Sequence, residues 1–281
     1  MVASSVVMLA TAWQAAVGAL LFCACVPEGP PDGRNSDALP GTSLPAKTLP
    51  HTIRSRWRRG PRKRTDVIEG FETRPPSNAG TSDPPLTTPW KDDFSRSSLG
   101  PDWRATSTAW KLDAGWVCAK SARNHPLWLK RRLPQNAQIE FTAVSRSSDG
   151  DLKAEAWGDG YSAAVSASYE QASSYIFILG GWTNRFHVLA RRNEHARDRL
   201  SIAVDSGSRD PRARPVVAQV PYRFRLERAD GKTVRVWVNG TEMFTMSDPD
   251  PMSGPGHDHF AFNEWESPTC FDDLVVTPLP D

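Results

Sequence analysis

Residues 173–192 read SSYIFILGGWTNRFHVLARR: an apolar run, a double glycine, a tryptophan, an asparagine, then alternating apolar and polar side chains. This is the pattern of two strands joined at a tight place, where the backbone leaves no room for a side chain and Trp182 is displayed at the junction. Residues 175–179 are apolar on both faces, which predicts a central buried strand. Gly180-Gly181 marks a place where another backbone or a ligand comes close. Trp182, Asn184, Arg185 and Arg191 are then left to carry recognition.

Outward from this pair, the chain from Trp90 onward is a series of short strands with turn signals between them, the signature of an all-β sandwich or barrel. Candidate strands are 91–94, 109–112, 116–119, 127–131, 137–146, 152–157, 163–167, 175–179, 185–191, 222–228, 233–238, 242–245, 260–263 and 273–277. No amphipathic helical period competes with them. About 190 residues in one β domain can bury a sizeable core.

One hairpin can be registered from sequence. With Ala229-Asp230-Gly231 as a three-residue loop, Leu226 faces Val234, Phe224 faces Val236 and Tyr222 faces Val238. On the other face Arg225 then opposes Arg235, and Arg223 lies over Trp237 as a cation–π pair. Two opposed arginines call for an anion between them, from Glu227 or from outside. Asn239-Gly240 makes the next tight turn.

The 281 residues are 39% hydrophobic with a formal charge of +2, so the chain as a whole is neither polybasic nor acidic. Composition is uneven, however. Residues 2–25 carry no charge and end in Leu21-Phe22-Cys23-Ala24-Cys25. Their length would span a membrane, but the N-terminal position and small terminal residues point to an export signal. The end resembles a bacterial lipobox with Cys25 as the lipidated residue, although no Lys or Arg precedes it and Phe22 stands where Leu is usual. Lipoprotein, cleaved signal and retained anchor all place the remainder outside the cytoplasm, in the cell envelope or beyond.

Residues 26–89 are rich in Pro, Gly, Ser, Thr and Asp, and cannot bury enough apolar surface to offset their ordering entropy. They read as a disordered linker. Within them RSRWRRGPRKR, residues 54–64, is either an arm for an anionic surface or a solvated basic stretch. Only Trp57 interleaves it, so no nucleic-acid partner is expected, and membrane contact is expected only through the N-terminal lipid or signal segment.

The motifs of the 90–281 domain resemble a known family: bacterial concanavalin A-like lectin/glucanase sandwiches of jelly-roll type, and within them the 3-keto-disaccharide hydrolase kind of domain. The resemblance rests on Asp92-Asp93-Phe94 with Trp103, Trp110 with Asp113-Ala114-Gly115, Gly180-Gly181-Trp182, Trp237-Val238-Asn239-Gly240, and Phe271-Asp272-Asp273-Leu274-Val275-Val276. It implies a two-sheet antiparallel β-sandwich with its terminal strands side by side and a sugar site on the concave face or its rim. It also implies that Cys118 and Cys270 meet, and an exported domain is allowed the disulfide. No cofactor is expected beyond a structural calcium, for which Asp93 with Asp272 or Asp273 would supply oxygens where the terminal strands meet.

The Glu-x-Asp-x-x-Glu strand of retaining glucanases in this class is absent. Glu264 and Glu266 would stand about 7 Å apart on one face if extended, within the range of an inverting pair. Pro268 follows closely, which favours a loop with two solvated carboxylates. Glu155 is a lone glutamate, Asp149-Gly150-Asp151 reads as a turn, and His187 belongs to a solvated face. His257 and His259 lack a visible third metal ligand.

Sugar recognition needs flat aromatic faces and planar polar groups, which Trp157 with Asp159, Trp182 with Asn184, and Trp265 with Asn263 and Glu264 each offer. The arginines beside Trp182 suggest an anionic glycan. The leading expectation is thus an exported carbohydrate-binding sandwich. The alternatives are a glycoside or 3-keto-disaccharide hydrolase, and a structural envelope lipoprotein without a small ligand.

Overall fold

A computed structural model describes residues 82–165 and 169–281. Cys25, the N-terminal apolar segment and the basic run at 54–64 lie outside the described residues. Among the described residues, no helix is long and apolar enough to cross a membrane.

Two antiparallel sheets form the sandwich, as the strand pattern predicts. The first runs β13(Thr241–Ser247), β12(Thr233–Val238), β11(Pro221–Arg228), β6(Ala137–Ser145), β15(Thr269–Pro278), β4(Trp116–Ala119), β3(Lys111–Asp113), with β1(Trp90–Asp92) also paired to β15. The second runs β10(Leu200–Ala203), β9(Phe186–Arg191), β8(Tyr175–Gly180), β7(Leu152–Gly158), β14(His259–Asn263), β5(Leu127–Leu129), β2(Trp103–Ala105). The short edge strands β2 and β10 are not legible in the sequence pattern, and residues 163–165, expected to begin a strand, are irregular.

Alternate residues of each strand meet between the sheets. Ile139, Phe141, Phe224, Leu226, Val236 and Phe271 of one sheet pack against Ala154, Phe177, Phe260 and Phe262 of the other. Phe262 stacks on Phe271 at 4.4 Å and Phe141 on Phe224 at 4.8 Å. Each wholly buried phenylalanine stabilises the fold by about 1.5–3 kcal/mol.

The strand β8 is buried throughout, as expected for a central strand. Its tyrosine, phenylalanine and leucine side chains point between the sheets, while Ile176 and Ile178 join Tyr169, Val188 and Ala190 in a smaller apolar cluster on the sheet's outer face.

The terminal strands pair, with Asp92 opposite Leu274. The Asp92 carboxylate accepts from Phe94 N at 2.8 Å, Trp103 Nε1 at 2.8 Å and both Arg96 terminal nitrogens, so the Asp-Asp-Phe motif ties β1 to β2. Cys118 and Cys270 sit directly opposite in β4 and β15 and form the disulfide implied by the family resemblance. Residues 83–86, counted by composition within the linker, are docked on the sandwich. Asp83 and Leu86 are buried, and Leu86 N donates to Arg132 O at 2.8 Å.

The β11–β12 register differs from the expected one by two residues: Phe224 faces Val238, Leu226 faces Val236 and Arg228 faces Val234. Asp230 accepts from the backbone and hydroxyl of Thr233, which draws Thr233 into the turn and lengthens the loop. Because side chains alternate with period two, the slip leaves every apolar residue on its expected face. It also removes the arginine clash, since Glu227 now opposes Arg235, and Arg225 rather than Arg223 lies 3.7 Å from the Trp237 ring centre. Asn239 and Gly240 both have positive φ, as the tight turn requires.

Candidate functional site: the outer face of the seven-stranded sheet

At the middle of the seven-stranded sheet, the outward positions of β7 are Lys153 and Glu155, and Asn263 of β14 lies opposite Lys153. All three are buried, because the segments around Asn124, Tyr169 and Glu194 cover this face. Lys153 Nζ donates to Asn124 Oδ1 at 2.7 Å and Glu194 Oε2 at 2.9 Å. The Glu155 carboxyl is held by Asn263 Nδ2 at 2.5 Å, Ser174 Oγ at 2.5 Å and Tyr169 Oη at 3.0 Å.

Glu264 follows Asn263 directly and is also wholly buried. Its Oε2 accepts from Ala122 N at 2.5 Å, while Oε1 finds no hydrogen bond among the described residues. Asp151 lies at the start of β7, where its Oδ2 accepts from Trp265 N at 3.3 Å.

Burial dominates the electrostatics. It pushes Glu155 up to about 7 against the pull of Ser174, Asn263 and Tyr169. Glu264 is pushed up to about 8, again by burial first, with Ala122 drawing it down and Asp151 adding repulsion. Burial also raises Asp151. Lys153 shows the opposite balance: burial alone would lower it, but Glu194 and Asp151 together hold it charged. Four carboxyl groups thus share one ammonium, and the two glutamates with raised values keep their protons near neutrality.

Asn263 and Glu264 belong to this cluster, and half-buried Trp265 borders it. Glu264 and Glu266 lie in a loop as Pro268 suggests, but only Glu266 is solvated. It pairs at 3.6 Å with Arg123, whereas Glu264 is enclosed.

Trp157 is turned into the core. It is the extra residue of a β-bulge, with φ 55°, where Gly158 opposes His259 and Ala156 opposes Phe260. The bulge sends both Ala156 and Trp157 inward. Asp159 accepts from Tyr161 N and Ser162 N, each at 2.8 Å, and so builds the following turn.

The Gly180-Gly181 junction is a close approach of two backbones: a Cβ on Gly150 would meet Gly180 O at 2.5 Å. Trp182, Thr183 and Asn184 then run in the left-handed region, with φ of 53°, 58° and 61°. For L-residues this costs about 1–2 kcal/mol each. Asn184 offsets part of that cost. Its amide donates to Val216 O at 2.7 Å and Ser148 O at 3.0 Å and accepts from Val216 N at 2.9 Å.

Trp182 stays half-buried, with the Arg199 guanidinium 4.8 Å from its ring centre and His195 edge-on at 5.4 Å. Arg185 is exposed beside Phe186. Arg191 is parted from Trp182 by strand alternation: Phe186 shares the outer apolar cluster with Trp182, while Arg191 bonds Asp248 at 2.7 Å and reaches Asp250. The same alternation places His187 in the interior, where Nδ1 accepts from Gly180 N and Nε2 donates to Arg214 O. Burial lowers its pKa, and it forms no part of a solvated face.

No three His, Cys, Asp or Glu side chains among the described residues converge as a metal site. Asp93 accepts from Ser95 N at 3.0 Å, Asp272 is wholly buried, and Asp273 is half-buried with φ 53°. His259 is likewise committed, lying 2.7 Å from Asp258 and 3.3 Å from Asp83.

Sequence reasoning missed Lys153, Asp151, Asn124, Tyr169 and Glu194 as members of the cluster. The signal available was the alternation Leu152-Lys153-Ala154-Glu155-Ala156, which puts two charges on one face of a strand next to a predicted central strand.

Fold and site together define a two-sheet antiparallel β-sandwich with a buried polar cluster on its seven-stranded sheet. No family model and no curated protein matches the chain. Similar solved structures include a sialidase (10% identity, TM-score 0.48), covering 68% of this chain, which spans 18% of that one. The carbohydrate-binding module CBM66 from Bacillus subtilis is similar at 12% identity and TM-score 0.46, over 63% of this chain and 95% of that one. The carbohydrate recognition domain of Emp47p is similar at 12% identity and TM-score 0.47, over 69% and 96%.

Proposed function

We propose that the sandwich binds carbohydrate on the outer face of its seven-stranded sheet. The unpaired Oε1 of Glu264 would meet a polar group of the ligand, and Trp265 and Trp182 would cover ring faces. The carrying observation is the gathering of Lys153, Glu155, Asn263 and Glu264 at one place with a carboxyl oxygen left unpaired. Calorimetry on hits from a glycan array tests it. Trp265→Ala or Trp182→Ala should weaken binding about tenfold or more, the weight of one lost stacking contact. Unchanged affinity in both variants would sink the proposal.

We place this domain outside the cytoplasm, anchored through Cys25. The charge-free segment 2–25 supports this, and so does the Cys118–Cys270 bridge, because disulfides persist in oxidising compartments. Metabolic labelling with a fatty-acid analogue, lost on Cys25→Ser, is the expected result. An anionic glycan has less support than the arginines of residues 185–191 suggested, since Arg191 is engaged by Asp248 and Arg199 caps Trp182.

A hydrolase reading has one observation in its favour: Glu155 and Glu264 hold protons near neutrality, as a general acid must. Release of monosaccharide from a 3-keto-disaccharide panel, abolished by Glu155→Gln, would support it. Silence of both the array and the panel would leave the structural envelope role.

A further inference from the structure

We infer that the site takes an amino sugar, with the ligand's ammonium group bound at Glu264 Oε1. The inference rests on the carbohydrate-binding reading and adds the chemical class of the ligand.

Three observations carry it. Glu264 is wholly buried; Ala122 N bonds its Oε2 and the Ser121 backbone also draws on the carboxyl, while its Oε1 makes no hydrogen bond of normal geometry among the described residues. A buried acceptor without a donor is destabilising, and a ligand donor at that point would recover the loss. The surroundings also select the donor's charge. Lys153 is the one ammonium beside Asp151, Glu155, Glu194 and Glu264, and it is already committed to Glu194 and Asn124. An arriving cation lets a protonated carboxyl ionise beside it, whereas a carboxylate or sulfate would meet only acidic groups.

The third observation concerns reach. Trp265, next along the chain, is half-buried, and the Arg123 side chain that borders the same loop is 65% exposed. Arg123 N donates to Trp265 O at 2.9 Å and Asn124 N to Glu264 O at 2.8 Å, so the segment that carries exposed Arg123 is bonded directly to the one that carries Glu264 and half-buried Trp265. A sugar ring against Trp265 would place an amino substituent toward Glu264. The uncharged form of Glu264 would give up its proton as the ammonium arrives, which turns a neutral contact into a charge-assisted one.

The test is titration calorimetry with three oligosaccharide probes of equal length: glucosamine, N-acetylglucosamine and glucuronic acid oligomers. The free amine should bind about tenfold or more tightly than its N-acetylated counterpart, the weight of one charge-assisted hydrogen bond. Glu264→Gln should erase that preference. Equal or better binding of the acetylated or anionic oligomers would overturn the inference and leave carbohydrate binding standing. Failure of all three probes and of the wider array would overturn both. The comparison of probes on the unmodified protein decides the matter even if Glu264→Gln does not fold.

Discussion

The Arg228 guanidinium lies 4.1 Å from the centre of the Trp157 ring, and both side chains are wholly buried. Arg228 stands on the core face because it continues the alternation of Phe224 and Leu226, and its donors go to Gln135 O at 2.6 Å and Met252 O at 2.7 Å. Burial pulls its pKa down to about 10, still well above neutrality. Arg228→Ala would strand two buried carbonyls and open a cavity against Trp157. It should cost about 3–5 kcal/mol in denaturant unfolding. A loss under 1 kcal/mol, roughly the worth of an exposed pair, would contradict this account.

Glu155 and Glu264 make stability depend on pH. Their folded-state values, about 7 and about 8, lie above the ordinary 4.5, so the native state binds more protons than the unfolded chain between those limits. Their contribution is fully present below 4.5 and is lost as pH rises through 7 and 8. Thermal unfolding across this window should show a fall in Tm that Glu155→Gln and Glu264→Gln each make shallower. Asp92 and Asp248, both held low, act in the opposite sense on the acid side. A profile in the variants as steep as in the wild type would refute the assignment.

The bridge between Cys118 and Cys270 spans 152 residues of sequence. In the chain-entropy account, closing a loop of that length stabilises by about 5 kcal/mol. Reductant, or the double change Cys118→Ala with Cys270→Ala, should lower the unfolding midpoint accordingly. An unmoved midpoint would mean that the reduced chain is already constrained by other contacts.

Asn184 holds the left-handed turn through both polar groups of Val216. Asn184→Ala should cost about 2 kcal/mol, because it removes the brace and leaves partly buried backbone groups unpaired. Trp182 fluorescence should report greater solvent access in the variant. Stability and emission both equal to wild type would show that the turn is held by something else.

The sandwich itself was legible because its signals are local. Alternation places Phe224, Leu226, Val234 and Val236 on the core face in either register of their hairpin, so a two-residue slip changed pairs without changing faces. The candidate site was only half legible. Asn263, Glu264 and Trp265 drew attention as a run of polar and aromatic residues. Lys153 and Glu155 are ordinary in isolation and become a site only when Asn124, Tyr169 and Glu194 arrive from distant segments. Trp157 was misplaced because a bulge in β7 resets the alternation, and His187 because the face it shares with Leu189 and Arg191 is the inner one; neither fact leaves an unambiguous mark in sequence.

The pairing of β15 sets an order of assembly. Thr269–Pro278 lies between β6 and β4 and also holds β1, so three strands from the first part of the domain depend on one made more than a hundred residues later. Such non-local pairing pays its loop-closure entropy before any contact rewards it, which makes folding slow. A partly synthesised chain has an open gap at the middle of one sheet and lacks Cys270, the bridge partner of Cys118. The sandwich therefore closes only once its keystone strand has been delivered.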